Sequence, residues 1–167
     1  MKVLLLVLTL GACAYAQKIT MEFDNAVDFT KYHTFAIRNG VLNSRFPELN
    51  SELVKKNLET SIGHYLAAKG LLAVTGKSDL NVNYHFGSAG KTELEAYPAG
   101  WRGWGTRVVR VPYTEGTLVI DLRDPGTRSL VWRAIAREDK SDPTKIEPKL
   151  DEMVKKSIDK YPPKPKQ

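Results

Sequence analysis

Apolar and polar residues alternate over 18–24, where Ile19, Met21 and Phe23 share one side and Lys18, Thr20 and Glu22 the other. A period of two marks a half-buried strand. A second strand is predicted over 32–38. Alternation returns over 79–87, with Leu80, Val82, Tyr84 and Phe86 facing one way and Asn81, Asn83 and His85 the other. Residues 107–113 and 116–124 read as a hairpin turning at Thr114, Glu115 and Gly116. Residues 129–137 come back antiparallel across Pro125-Gly126, a pair suited to a tight turn. Setting Leu122 opposite Leu130, Ile120 opposite Trp132 and Leu118 opposite Ala134 gathers the large apolar residues on one face. Val131 then falls on the other face, and Trp132 is placed in the core.

Two segments change period. From residue 53 onward, Leu53, Val54, Leu58, Ile62, Tyr65 and Leu66 recur every three or four positions, giving a helix with one apolar face. Asn50 is the expected N-cap, with Leu49 and Val54 forming a hydrophobic staple across it. Gly70 is the expected stop. Gly63 lies inside this helix and should cost about 1 kcal/mol relative to Ala, which a close packing contact would explain. A second helix carries Leu150, Met153, Val154, Ile158 and Tyr161, with Pro148 expected as its first residue and Pro162-Pro163 ending it. These elements predict one α+β domain: a two-layer sandwich with a largely antiparallel sheet of about six strands and two helices on one face.

The ends modify the domain organisation. Lys2 followed by the apolar run Val3–Ala12 has the form of a secretory signal, and ten residues are too few to span a bilayer, which takes about 20. The stretch LGACAYAQ offers two cleavage sites. Cutting after Ala16 frees a soluble chain beginning at Gln17, whereas cutting before Cys13 would lipidate its sulfur and leave a very short tether. The first is preferred, giving a signal over 1–16, one domain over 17–163 and a frayed tail over 164–167. The expected location is periplasmic or secreted, with a Cys13 lipid anchor as the alternative. Cys13 is the only cysteine, so the exported chain has no thiol for a disulfide, a zinc site or a nucleophile. Loss of Lys2, the only charge in the leader, lowers the net charge from +6 to +5.

The order of VDFTKYHTFAI, HYLAAKGLLAV, SDLNVNYHF, YTEGTLVIDLRDPGTRSLVWRA and the closing DKYPP resembles the bacterial envelope family named domain of unknown function 4136. The resemblance covers the whole chain after the leader. It implies a signal-bearing periplasmic protein or lipoprotein and brings no activity or catalytic residue with it.

Candidate chemistry is sparse. His33, His64 and His85 lack a histidine or carboxylate at the spacing a helix-borne metal site needs, so no metal or cofactor is implied. Glu93 and Glu95 could flank a sugar if their strand is extended, making an envelope glycan hydrolase or transferase the alternative function. They sit in a polar segment without the apolar burial that tunes a catalytic acid. Asp124 reads as the first residue of a turn and Asp121 as a partner for a cross-strand arginine. No catalytic residue is assigned, and the protein is read as non-enzymatic. Two binding elements stand out. Residues 88–105 are read as a loop of mixed character. At its end Trp101, Arg102, Trp104 and Arg107, set among glycines, offer indole faces and positive charge to a ligand. Arg110, Arg123, Arg133 and Arg137 are expected on the sheet face away from the helices, mixed with Val108, Val119, Val131 and Ile135. The expected partner is an envelope component, an anionic polymer or lipid, with self-association a further option and nucleic acid excluded by export.

Overall fold

The computed structural model describes residues 17–98, 106–140 and 142–164. The leader, Cys13 and the Trp-Gly loop therefore lie outside the described residues. Strand β1 (Lys18–Phe23) opens the domain, and a short helical turn capped by Asp28 leads to β2 (Thr34–Ser44). Helix α1 (Glu52–Ala68) and the two-residue β3 (Leu72–Ala73) follow. Then come three long strands, β4 (Leu80–Pro98), β5 (Thr106–Asp124) and β6 (Ser129–Lys140), and last α2 (Leu150–Ile158). The six strands form one sheet in the order β1-β6-β5-β4-β2-β3. The pairings are antiparallel except for β2 with β4 and with β3. The crossover between β2 and β4 contains α1, as a parallel pair requires. Both helices pack on one face of the sheet, so the layout is the expected two-layer α+β sandwich. No helix among the described residues is long and apolar enough to cross a membrane.

The apolar stripe of α1 is narrower than the sequence suggests. Val54, Leu58, Ile62 and Leu66 are buried, one per turn, whereas Leu53 is 72% exposed. The cap is also one residue later than expected: Ser51 Oγ accepts from the Val54 N–H at 3.2 Å. Asn50 is occupied elsewhere. Its Oδ1 accepts from Ser44 N–H at 2.8 Å while its Nδ2 donates to Ser44 O at 2.7 Å, closing the end of β2. An amide can serve both groups of that backbone unit and a hydroxyl cannot do so as well, which leaves the cap to serine. Gly70 ends the helix at φ +89°, the left-handed conformation of a C-terminal stop. Pro148 lies in a short helical turn over Glu147–Lys149 that runs into α2, so it precedes that helix and does not start it. The stripe of α2, Leu150, Met153, Val154 and Ile158, is buried as expected, with Tyr161 beyond it.

No close contact explains Gly63: a Cβ built there meets no atom within 4 Å. Alanine fits without strain and removes conformational freedom from the unfolded chain. Gly63→Ala is therefore expected to stabilise the protein by about 1 kcal/mol. The urea midpoint should rise with an unchanged slope; a midpoint that falls would mean the helix relies on glycine there.

The largest departure from expectation is in the sheet. Residues 88–98, read as loop, continue β4, and β5 runs unbroken through Thr114, Glu115 and Gly116, where a turn was expected. Those residues pair on both sides, Glu115 with Ala89 of β4 and with Asp139 of β6. Gly116 is there for room: a Cβ would lie 2.8 Å from Ile146 Cγ2. A glycine within a strand can mark such a close approach as readily as a bend.

The β5–β6 register also differs from expectation by two residues. Leu122 faces Trp132, Ile120 faces Ala134 and Leu118 faces Ala136. A shift of two preserves the faces, so Leu118, Ile120, Leu122 and Trp132 still point into the core. Next to them Arg123 faces Leu130, which makes Val131 the extra residue of a β-bulge. The bulge turns Val131 inward to 2% exposure, and Leu130 is left half-buried.

Candidate functional site

The face of the sheet away from the helices is built by three ladders. Lys18 and Glu22 of β1 stand opposite Arg137 and Arg133 of β6. Thr117, Val119 and Asp121 of β5 stand opposite Arg137, Ile135 and Arg133. Asn81, Asn83 and His85 of β4 stand opposite Arg123, Asp121 and Val119. Directly paired residues share a face, so Lys18, Arg123, Arg133 and Arg137 lie on one surface together with the polar residues of β4.

These four cations are not equivalent. Arg133 Nε and Nη2 donate to the two oxygens of Asp121 at 2.6 and 2.7 Å, a bidentate pair, and Arg133 Nη1 lies 3.5 Å from Glu22 Oε1. Asp121 is only 5% exposed. The Asp121 carboxylate, aided by Glu22, holds the Arg133 guanidinium above its ordinary range despite partial burial. Arg133 is thus a strut of the sheet. Lys18, Arg123 and Arg137 make no ion pair among the described residues.

Arg110 does not join them. It stands opposite Leu94, an even number of residues from Leu118 with no break in the ladder between, and so falls on the helix-side face. Val108 does the same, and Val131 is in the core. The expected turn at 114–116 would have reset the alternation; a continuous strand does not. Trp101, Arg102 and Trp104 lie outside the described residues. Arg107 is a backbone member of β5 opposite Tyr97.

Asp124, like Asp121, is engaged in structure. Asp124 Oδ1 accepts from the Gly126 and Thr127 N–H groups at 2.8 and 3.2 Å, fixing the turn. Its Oδ2 accepts from Lys31 Nζ at 3.2 Å and Tyr32 Oη at 3.0 Å. Burial is the largest single influence and pushes this carboxyl up. The two amides, Lys31 and Tyr32 together outweigh it and hold the group below the usual carboxylate range. Glu93 is exposed on β4. Sequence reasoning missed Asp151, which accepts from Ser61 Oγ at 2.6 Å and Tyr65 Oη at 2.8 Å. It lines an open cavity of about 390 Å³ between α1 and the start of α2, with Asn57, Ser61 and Glu147. Both of its oxygens are used to tie the two helices together. No local pattern announces a contact between residues 86 and 90 apart in sequence. His85 lies on the open face, and the His64 ring sits edge-on to Tyr65 at 4.9 Å. Among the described residues no three His, Cys, Asp or Glu side chains are placed to hold a metal.

Fold and site together define a two-layer α+β domain whose sheet face away from the helices carries cations that make no ion pair among the described residues. The chain belongs to the family described as Domain of unknown function (DUF4136), which matches residues 19–163. A search by sequence finds no curated relative. Among solved structures it is similar to a DUF4136 family protein from Bacteroides thetaiotaomicron, with 15% identity and TM-score 0.54, covering 87% of this chain and 96% of that one. It is also similar to a PDZ domain protein from Parabacteroides distasonis, with 14% identity and TM-score 0.62 over 89% of this chain. Here the chain spans 36% of the other protein's length. A third similar structure is the PelC dodecamer from Paraburkholderia phytofirmans, with 11% identity and TM-score 0.51, covering 86% of this chain and 95% of that one. At these identities the likeness concerns the fold.

Proposed function

We propose that this is an exported, non-enzymatic envelope protein that binds or scaffolds an anionic envelope component on its open sheet face and associates with itself. The observation that carries the binding proposal is the division of charge on that face. Asp121 and Glu22 are already engaged by Arg133, while Lys18, Arg123 and Arg137 have no acidic partner among the described residues. A surface of this kind attracts a polyanion or an acidic headgroup and loses that attraction as salt rises. Export rests on the leader pattern, with Gln17 as the proposed mature start. Self-association is supported by the dodecameric state of the PelC structure. The Trp101–Trp104 loop is the proposed second contact, its indoles stacking on sugar rings or resting at a lipid interface.

The experiment is co-sedimentation with phosphatidylglycerol vesicles and, separately, with an acidic polysaccharide such as polygalacturonate. Near an anionic surface each basic side chain contributes about 1 kcal/mol. Replacing both Arg123 and Arg137 by Glu is therefore expected to weaken binding about 30-fold or more while leaving the melting temperature near that of the parent. Trp101→Ala with Trp104→Ala should also weaken binding without loss of stability. Undiminished binding by the arginine variant to both probes would refute the sheet face as the site. A destabilised tryptophan variant whose folded fraction still binds would remove the loop.

A further inference from the structure

β2 stops pairing with β4 at Ser88, and β6 stops pairing with β5 at Thr114, yet β4 and β5 remain paired as far as Pro98 and Thr106. From Lys91 opposite Tyr113 outward, the sheet is a ribbon of two strands among the described residues. Its eight residue pairs extend about 25 Å beyond the third strand. A two-stranded ribbon is at best marginally stable in water unless it gains a further strand or a packed face. Here one face carries Leu94 at 65% exposure and Val108 at 61%, on the side where the helices cover the rest of the sheet but do not reach. Among the described residues both long edges of the ribbon have unpaired backbone groups, the usual template for adding a strand.

The two edges differ in charge. By sequence the β4 side carries Lys91, Glu93 and Glu95, and Lys91 is taken up by Glu115 at the base of the ribbon at 2.7 Å. The β5 side carries Arg107 and Arg110 and no acid over 106–113. Pro112 has no N–H to donate, so strand addition on this side is confined to the outer part of the ribbon, where both arginines lie.

We propose that the β4 edge of the ribbon pairs with the β5 edge of the ribbon on a second copy of this chain. By ladder position Glu93 and Glu95 share a face with Arg107, so acid lies beside base there, while on the other face Leu94 of one copy joins Val108 of the next, with Arg110 at the margin. Pairing β4 with β4 would set acid against acid, and β5 with β5 base against base. A second copy is the fitting occupant because the molecule carries both halves of the complementarity. The contact is heterologous, so each copy keeps one edge to offer and the assembly grows into a ring or an open chain. This inference rests on the self-association proposed above and assigns its surface.

The test is the mass of the chain from Gln17 onward, by size exclusion with light scattering. The unmodified chain is expected to run as a multimer. Reversing one edge, by Glu93→Lys with Glu95→Lys or by Arg107→Glu with Arg110→Glu, should give a monomer with an unchanged melting temperature. Combining all four substitutions exchanges the charges of the two edges and should restore the multimer. A multimer that survives both single-edge reversals overturns the ribbon as the interface and leaves self-association standing. A four-substitution variant that stays monomeric overturns the edge complementarity. An unmodified chain that is monomeric at every concentration overturns self-association itself.

Discussion

Trp132→Ala is expected to destabilise the protein by about 3–5 kcal/mol, because it empties the largest fully buried side-chain volume in the sheet. The indole has no exposed surface, and its strand neighbours are Leu122 of β5 and Phe23 of β1. Its ring meets Tyr161 edge-on at 5.8 Å, and Tyr161 meets Phe29 in the same way at 5.8 Å. These contacts join β1, the turn after it and the chain end beyond α2, so collapse around the vacated space would have to move three segments at once. The indole N–H has no acceptor among the described residues. Trp132→Phe keeps much of the ring and removes that buried donor, whose desolvation alone costs about 1–3 kcal/mol. It should therefore cost far less than alanine. Urea titration of both variants decides the point; equal losses would mean that the N–H has a partner and that ring volume is not what the site uses.

Val131 shows where alternation along a strand stops being a guide. Its neighbours place it on the open face, yet the bulge makes it a core residue. The cause is an unequal count: two residues of β6 answer one step of β5, and only the partner strand reveals that. The carbonyl of Val131 accepts from the Asp24 N–H at 3.0 Å, so the bulge also receives the end of β1. Parity along uninterrupted segments was legible, which is why Leu80, Val82, Tyr84 and Phe86, and Leu118, Ile120 and Leu122, all fall where the sequence puts them. The continuity of β5 was not, because Thr-Glu-Gly has turn composition and the strand holds through it only by having β4 and β6 on either side. That single misplacement carried Arg110 to the wrong face. The candidate site was therefore legible as a set of arginines. Which of them are committed depended on a ladder position: Arg133 is spent on Asp121 because the true register sets the two opposite each other. Arg123 and Arg137 gain their availability from the same register.

Gly40→Ala should be the most damaging small substitution in the sheet, at about 3 kcal/mol, the upper range for overpacking a tight core. Gly40 of β2 is the ladder partner of Tyr84 of β4, and the tyrosine ring lies across its backbone. A Cβ there would overlap Tyr84 Cζ, its hydroxyl oxygen and Cε1. The ring has little room to withdraw. It is fully buried, and its hydroxyl donates to Glu59 Oε1 of α1 at 3.0 Å. Burial pushes that hydroxyl's pKa well up, with the Glu59 carboxylate adding to the shift, so it remains a donor throughout the working range. Relief requires ejecting the ring or lifting α1 from the sheet. Because the clash is with the far end of the tyrosine, shortening that side chain should undo it. Tyr84→Leu is expected to be destabilising alone, yet in its presence Gly40→Ala should cost much less, a favourable coupling of about 2 kcal/mol in a double-mutant cycle. Tyr84→Phe, which retains Cζ and Cε1, should give little rescue. Additive losses for Gly40→Ala and Tyr84→Leu would show that the glycine is required for some reason other than the ring that covers it.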